Sequence, residues 1–224
     1  MKLASLYSGG KDSAFSLYLA EQTGYEVPYL ISIRPSADES WIFHTPNQDA
    51  VPEMAAAMGK KLITAVTPGS EEGDMEALRA ALSGLDIDGV VTGAIWSDYQ
   101  WDRINAVCGD LGLFVFAPLW RKDQDLIMDE IINSGIKAVI VGCYAEGLDG
   151  SWLGRPINAE TVEELKKIRE KTGISIAGEG GEYESMVLFS PLFSHPLEIE
   201  SCTREITRHG GTLRIVSFRK TPPA

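Results

Sequence analysis

Along the first 144 residues, short apolar runs alternate with stretches whose apolar positions recur at helical spacing. "KLASLY" (2–7), "YEVPYLISIR" (25–34), "KLITAV" (61–66), "IDGVVTGAI" (87–95), "LFVFAP" (113–118) and "KAVIVGCY" (137–144) read as strands. The segment after Asp12, "QDAVPEMAAAMG" (48–59, ended by Gly59), "EEGDMEALRAALSG" (71–84), 98–110 and 123–134 read as helices. Near-continuous apolar strands joined by crossover helices predict a doubly wound parallel sheet, because a strand buried on both faces has no polar face to alternate.

After about residue 150 the pattern changes. "NAETVEELKKIREKTG" (158–173) is an amphipathic helix with Asn158 as its cap and Gly173 as its stop. "LEIESCTREITRHGGTLRIVSF" (197–218) alternates polar and apolar residues around His209-Gly210-Gly211, the pattern of a β-hairpin. An α/β domain over 1–120 and a smaller α+β domain over 121–224 follow, with a soft boundary between 118 and 150.

The first strand runs into Ser8-Gly9-Gly10-Lys11-Asp12-Ser13. In parallel α/β sheets, ligands sit beyond the C-terminal strand ends, where helix N-termini present N–H groups. Two glycines let the backbone approach an anion, and Ser8 and Ser13 add hydroxyls. Lys11 supplies a point charge, and Asp12 is placed to hold magnesium or to orient the loop. The same residues form ordinary strand-to-helix turns, so composition leaves that reading open. Neither GxxxxGK[ST] nor GxGxxG is present.

"SGGKDS" closely resembles the PP-loop of the ATP-pyrophosphatase group, whose members cradle pyrophosphate while ATP adenylylates a substrate oxygen. "WIFHTPN" (41–47), "TGAIWSDYQWDRINAVC" (92–108), "APLWRKDQ" (117–124), "GLDGSWLGR" (147–155) and "GEGGEYESMVLFSPLF" (178–193) resemble one branch of it, the archaeal diphthine–ammonia ligase family. The resemblance covers residues 2 to about 193, with Ser185 where Thr is common. It implies a sheet of the PP-loop (HUP) type and a C-terminal substrate-binding domain. The implied reaction joins diphthine on elongation factor 2 to ammonia, with ATP and Mg2+, and gives diphthamide, AMP and pyrophosphate. Adenylylation is what such an amidation needs, because a carboxylate has no leaving group that ammonia can displace.

Further site residues follow from the resemblance. Asp12 carries a catalytic or magnesium role, beside a nucleotide site of Ser8, Gly9, Gly10, Lys11 and Ser13. Gly93 and Ala94 allow close approach of adenosine or simply fit a tight strand end. Arg103 faces the α-phosphate or makes a surface ion pair, and His44 lines the nucleotide crevice on the resemblance alone. Ser97 and Gln100 lie at a helix start near the nucleotide.

Trp96, Tyr99 and Trp101 offer aromatic faces to the trimethylammonium of diphthine or pack as core. Glu179, Glu182 and Glu184, with Gly180, Gly181 and Tyr183, form an acidic block that binds magnesium, ammonium or the trimethylammonium group, or is a solvated turn. A strand from Glu182 to Leu188 would put Glu182 and Glu184 on one side.

Charge and cysteine content narrow the partners. Thirty-two acidic against 20 basic residues give a net charge of −12, which disfavours nucleic acid and suits a cationic group or a basic partner. Cys108, Cys143 and Cys202 form no CxxC pair and suggest neither zinc nor disulfides. Residue 2 is Lys rather than Cys, and Cys143 has no nucleophile-elbow pattern, so free ammonia is the expected nitrogen source. The absence of a signal peptide or a membrane-spanning run suggests a cytoplasmic protein. The hairpin carries no motif. It is open to closing over a substrate or to pairing with another subunit in a homodimer.

Overall fold

The computed structural model describes residues 1–35, 47–208 and 210–219. His44, assigned above to the nucleotide crevice, lies outside them. The chain divides into two compact units, Met1–Lys122 and Asp123–Ala224.

The first unit contains β1 (Lys2–Leu6), α1 (Lys11–Gln22), β2 (Glu26–Pro35), α2 (Val51–Met58), β3 (Lys61–Thr67), α3 (Glu71–Leu82), β4 (Gly89–Val91), α4 (Asp98–Asp110) and β5 (Phe114–Phe116). The five strands are parallel, in the order β3-β2-β1-β4-β5. Winding proceeds outward from β1 to β3, then resumes on the other side with β4. The winding reverses between β1 and β4, and in folds of this type ligands bind at the C-terminal strand ends beside such a switch. Ala4, Ile31, Ile33 and Val90 from the strands pack with Leu78, Leu82, Ile104, Val107 and Cys108 from α3 and α4. This core fixes the strand ends that carry the loops.

β4 is shorter than the apolar run 87–95. The chain leaves the sheet at Thr92, whose N–H still bonds Phe116 O at 3.0 Å, and Gly93 then passes against the start of α1. Caps agree with local chemistry. Ser70 accepts from Gly73 N–H at the start of α3, and Ser97 accepts from Gln100 N–H at the start of α4.

The second unit contains α5 (Gln124–Asn133), β6 (Lys137–Cys143), α6 (Ala159–Thr172), β7 (Tyr183–Phe189), β8 (Ile199–Thr207) and β9 (Gly210–Phe218). Its sheet is antiparallel throughout, in the order β7-β6-β9-β8. The strand at 137–143 therefore does not extend the parallel sheet, as its place in the βα alternation suggested. It lies between β7 and β9 and is buried along most of its length. A central antiparallel strand covered in this way reads as the same apolar run as a parallel one. The capping of α6 by Asn158 and its stop at Gly173 (φ 77°) agree with the sequence, and so does the hairpin of β8 and β9. Among the described residues, no helix is long and apolar enough to cross a membrane.

Candidate active site

The corner between β1 and α1 is built by backbone compaction. Gly9 takes φ 84°, a left-handed conformation that costs a side-chain-bearing residue energy. A Cβ there would also lie 3.1 Å from the sulfur of Met54. Ser13 Oγ donates to Gly10 O (3.0 Å) and accepts from Ser8 N–H (3.3 Å), while Ser8 Oγ accepts from Gly10 N–H (3.3 Å). The two hydroxyls are 3.2 Å apart. Beneath the loop, the Tyr7 hydroxyl donates to Met54 Sδ at 3.6 Å, and burial pushes its phenol well above the ordinary range.

Lys11 is buried, and its Nζ lies 2.8 Å from Asp12 Oδ2. The other carboxylate oxygen, Asp12 Oδ1, is buried without a hydrogen-bond partner among the described residues. A buried carboxylate oxygen with nothing to accept from is costly unless a cation or donor joins it. The described residues hold no group of three or more His, Cys, Asp or Glu that could bind a metal. Magnesium, however, is commonly held by one or two carboxylates together with substrate phosphates. Asp12 fits that mode.

The loop after β4 completes the corner. A Cβ on Gly93 would lie 2.7 Å from Ser13 N and 2.8 Å from Asp12 C, so the two loops meet backbone to backbone at the switch point. Ala94 is buried beside it.

Arg103 is less available than the sequence suggested. Its guanidinium pairs with Glu71 (2.6 Å), donates to Tyr99 O (3.0 Å) and lies 3.3 Å over the Tyr99 ring. This is the ion-pair alternative raised above, and it also covers one face of Tyr99.

Trp96 and Trp101 do not form an open aromatic cage with Tyr99. Trp101 stacks on Trp120 at 4.4 Å and 10°. Arg121, held at φ 58°, lies 4.9 Å from the Trp96 ring and 5.0 Å from the Trp120 ring, and pairs with Asp98 at 2.5 Å. Trp96 Nε1 donates to Lys122 O. A cation therefore does sit on these aromatic faces, and it belongs to the chain. Sequence reasoning did not single out Trp120 or Arg121, although "PLWRK" lay within a segment already noted.

In the second unit, the acidic block is an ordered loop. Glu182 Oε1 accepts from Ser175 N–H and Oε2 from Gly180 N–H, each at 2.8 Å. Its own carbonyl accepts from Tyr144 N–H and Ala145 N–H. Gly178 and Gly181 take φ 78° and 79°, and a Cβ on Gly180 would press on the Glu182 carboxylate at 2.8 Å. β7 begins at Tyr183, so Glu182 precedes the strand and does not share a strand face with Glu184.

Gln124 Oε1 accepts from Ser175 Oγ and Ile176 N–H, and Ser175 Oγ accepts from Glu179 N–H. Tyr183, expected among the substrate contacts, is 2% exposed, and its hydroxyl donates to Ile176 O at 2.7 Å. It is a core side chain because its ring fills the space under the loop. Glu179 and Glu184 are half-buried, with Glu184 near enough to Tyr144 to help raise the phenol's pKa after burial.

The model of the diphthamide synthase N-terminal domain matches residues 1–115, and that of the C-terminal domain matches 123–220. The chain belongs to the diphthamide synthase family. It is 35% identical over 223 residues to the diphthine–ammonia ligase of Danio rerio, covering 90% of this chain and 87% of that protein. It is 32% identical to the proteins of the same name from Bos taurus (93% and 86% covered) and Homo sapiens (90% and 84% covered). A solved chain described as a predicted subunit of tRNA methyltransferase from Methanocaldococcus jannaschii aligns over 85% of this chain and 98% of that one. Its TM-score of 0.46 and 16% identity are too weak a likeness to bear on fold or function. The first family match contains the glycine corner and the start of α4, and the second contains the acidic loop. Trp120 and Arg121 fall between them.

Proposed function

We propose that the chain is an ATP-dependent ligase that aminates the carboxylate of diphthine on elongation factor 2 to give diphthamide, AMP and pyrophosphate. The observation that carries this reading is the glycine corner at the switch point of a parallel sheet, in a chain of the diphthamide synthase family.

The diphthine carboxylate oxygen attacks the α-phosphorus of ATP, and pyrophosphate leaves. Ammonia then attacks the carbonyl carbon of the acyl-adenylate, AMP departs, and a proton is lost to solvent. Ser8, Gly9, Gly10 and Ser13 receive the departing pyrophosphate through backbone and hydroxyl groups, and Lys11 brings a buried positive charge to it. Asp12, through its unpartnered oxygen, would hold Mg2+, which supplies charge neutralisation along the phosphates. Gly93 lets the loop after β4 press against the start of α1, which holds the glycine corner beside the proposed nucleoside site. These parts work by positioning and charge, which is what phosphoryl chemistry asks of a protein.

Within the acidic block, Glu182 organises the loop, and Glu179 and Glu184 are the carboxylates proposed to meet ammonium or the trimethylammonium group. Trp96, Ser97, Tyr99 and Gln100 are proposed to border the diphthine side chain, and Trp101 supports them through Trp120.

The test combines the protein with diphthine-bearing elongation factor 2, ATP, magnesium and ammonium. Mass spectrometry is expected to show hydroxyl replaced by amine on the modified histidine, with AMP and pyrophosphate released in equal amounts. AMP formation without any change in the factor would refute the substrate assignment.

A further inference from the structure

The hairpin of β8 and β9 is packed at its turn end, where Gly210, Gly211 and Leu213 are buried, and is a bare ribbon beyond it. β9 pairs with β6 only at Thr212 and Gly211, while β8 is the outer strand of its sheet. From Glu200 to Thr207 every residue of β8 is exposed. Ile206 is 61% and Val216 63% exposed, unusual for large apolar side chains. A two-stranded ribbon is marginally stable in water by itself, and a long bare edge invites a further strand.

The sequence of that edge specifies its partner. Opposed residues in an antiparallel pair must both point their N–H and C=O groups toward the partner or both away. A strand pairing with its own copy can therefore be centred on a residue but not between two residues. Centring on Arg204 or Glu205 opposes like charges across the two-fold axis. Centring on Cys202 places Glu200 opposite Arg204 of the second copy, twice, with Ser201 opposite Thr203. Among the described residues, Arg204 makes no ion pair and Glu200 accepts only from Ser217 Oγ. The small side chain at the centre keeps the two backbones close.

We propose that two copies of the chain associate through antiparallel pairing of their β8 edges about Cys202, joining their two four-stranded sheets into one of eight strands. The charge pattern Glu200-x-Cys202-x-Arg204 is self-complementary about the two-fold axis and favours a second copy over an unrelated strand.

The test uses the full chain and reads mass by light scattering over a concentration series. Wild type is expected to dimerise. Glu200→Arg alone or Arg204→Glu alone turns two attractive pairs into two repulsive ones and should raise the dimer dissociation constant by roughly tenfold or more. The double variant, Glu200→Arg with Arg204→Glu, should restore it. A short bismaleimide should link Cys202 to Cys202 of the second copy. Cys108 and Cys143 are buried, and burial pushes the Cys108 thiol up to about 11, so neither competes near neutral pH. A monomer at all concentrations overturns the proposal. So does a dimer indifferent to the single charge reversals, or one that fails to cross-link at Cys202.

Discussion

The glycine corner of the first unit and the acidic loop of the second both depend on glycines at positive φ, yet they use their carboxylates in opposite ways. At the corner, Asp12 keeps one buried oxygen without a partner, while its neighbours' hydroxyls and amides bond one another. In the loop, both oxygens of Glu182 are consumed by backbone N–H groups. A carboxylate left unsatisfied is prepared for something that arrives. A carboxylate satisfied within its own loop is part of the frame. The proposed division of labour, chemistry at Asp12 and positioning at Glu182, rests on this difference between residues that composition alone treats alike.

The sharpest way to break this contrast is Asp12→Ala. Turnover is expected to fall about 100-fold or more, as when a charge-stabilising group is removed from a reacting centre, and the melting temperature should fall as well, because the buried Lys11 ammonium loses the carboxylate 2.8 Å away. Near-normal pyrophosphate release would remove Asp12 from the site. Glu182→Ala should instead act through the loop. It leaves two backbone donors without acceptors and should lower turnover on the order of tenfold to 100-fold, raise the KM for the protein substrate and leave ATP affinity unchanged. Faster amide exchange at Ser175 and Gly180 is the accompanying signature. Glu182→Gln keeps the shape but turns its amide NH2 toward one of those donors, so it should fall between the alanine variant and wild type.

Gly93→Ala tests how tightly the two loops of the first unit meet. Its methyl would press on backbone rather than on a yielding side chain, at a cost of about 1–3 kcal/mol, and the KM for ATP should rise. The smallest effect belongs to the aromatic pair. Trp101→Leu should lower the melting temperature through lost stacking on Trp120, worth about 0.5–1.5 kcal/mol beyond buried area. Trp96→Leu should leave stability nearly unchanged while raising the KM for diphthine. Equal behaviour of the two would dissolve the distinction between them.

Much of this was legible from the chain. The five parallel strands, the corner at Ser8–Ser13, the cap at Asn158 and the final hairpin all follow from local pattern. What escaped depends on distant partners. Nothing near Gln124 announces that its amide oxygen will hold Ser175 and Ile176, some fifty residues later. Tyr183 looks like a substrate contact because it stands within an acidic motif, and only the folded loop reveals that its ring lies underneath. Trp96, Tyr99 and Trp101 were expected to face the cation of a substrate, whereas the chain's own Arg121 lies over Trp96 and over Trp120, a ring the sequence did not single out. Strand 137–143 carries no local mark of the sheet it joins, since burial on both faces erases the alternation that would have distinguished it.

Met54 has a bearing on the reaction cycle. It accepts from Tyr7 and lies under Gly9, so the floor of the glycine corner is a polarisable thioether with three rotatable bonds rather than a rigid ring or a branched chain. If a triphosphate is split there, as proposed, such a floor can yield by a side-chain rotation without breaking any rung of the sheet that carries it.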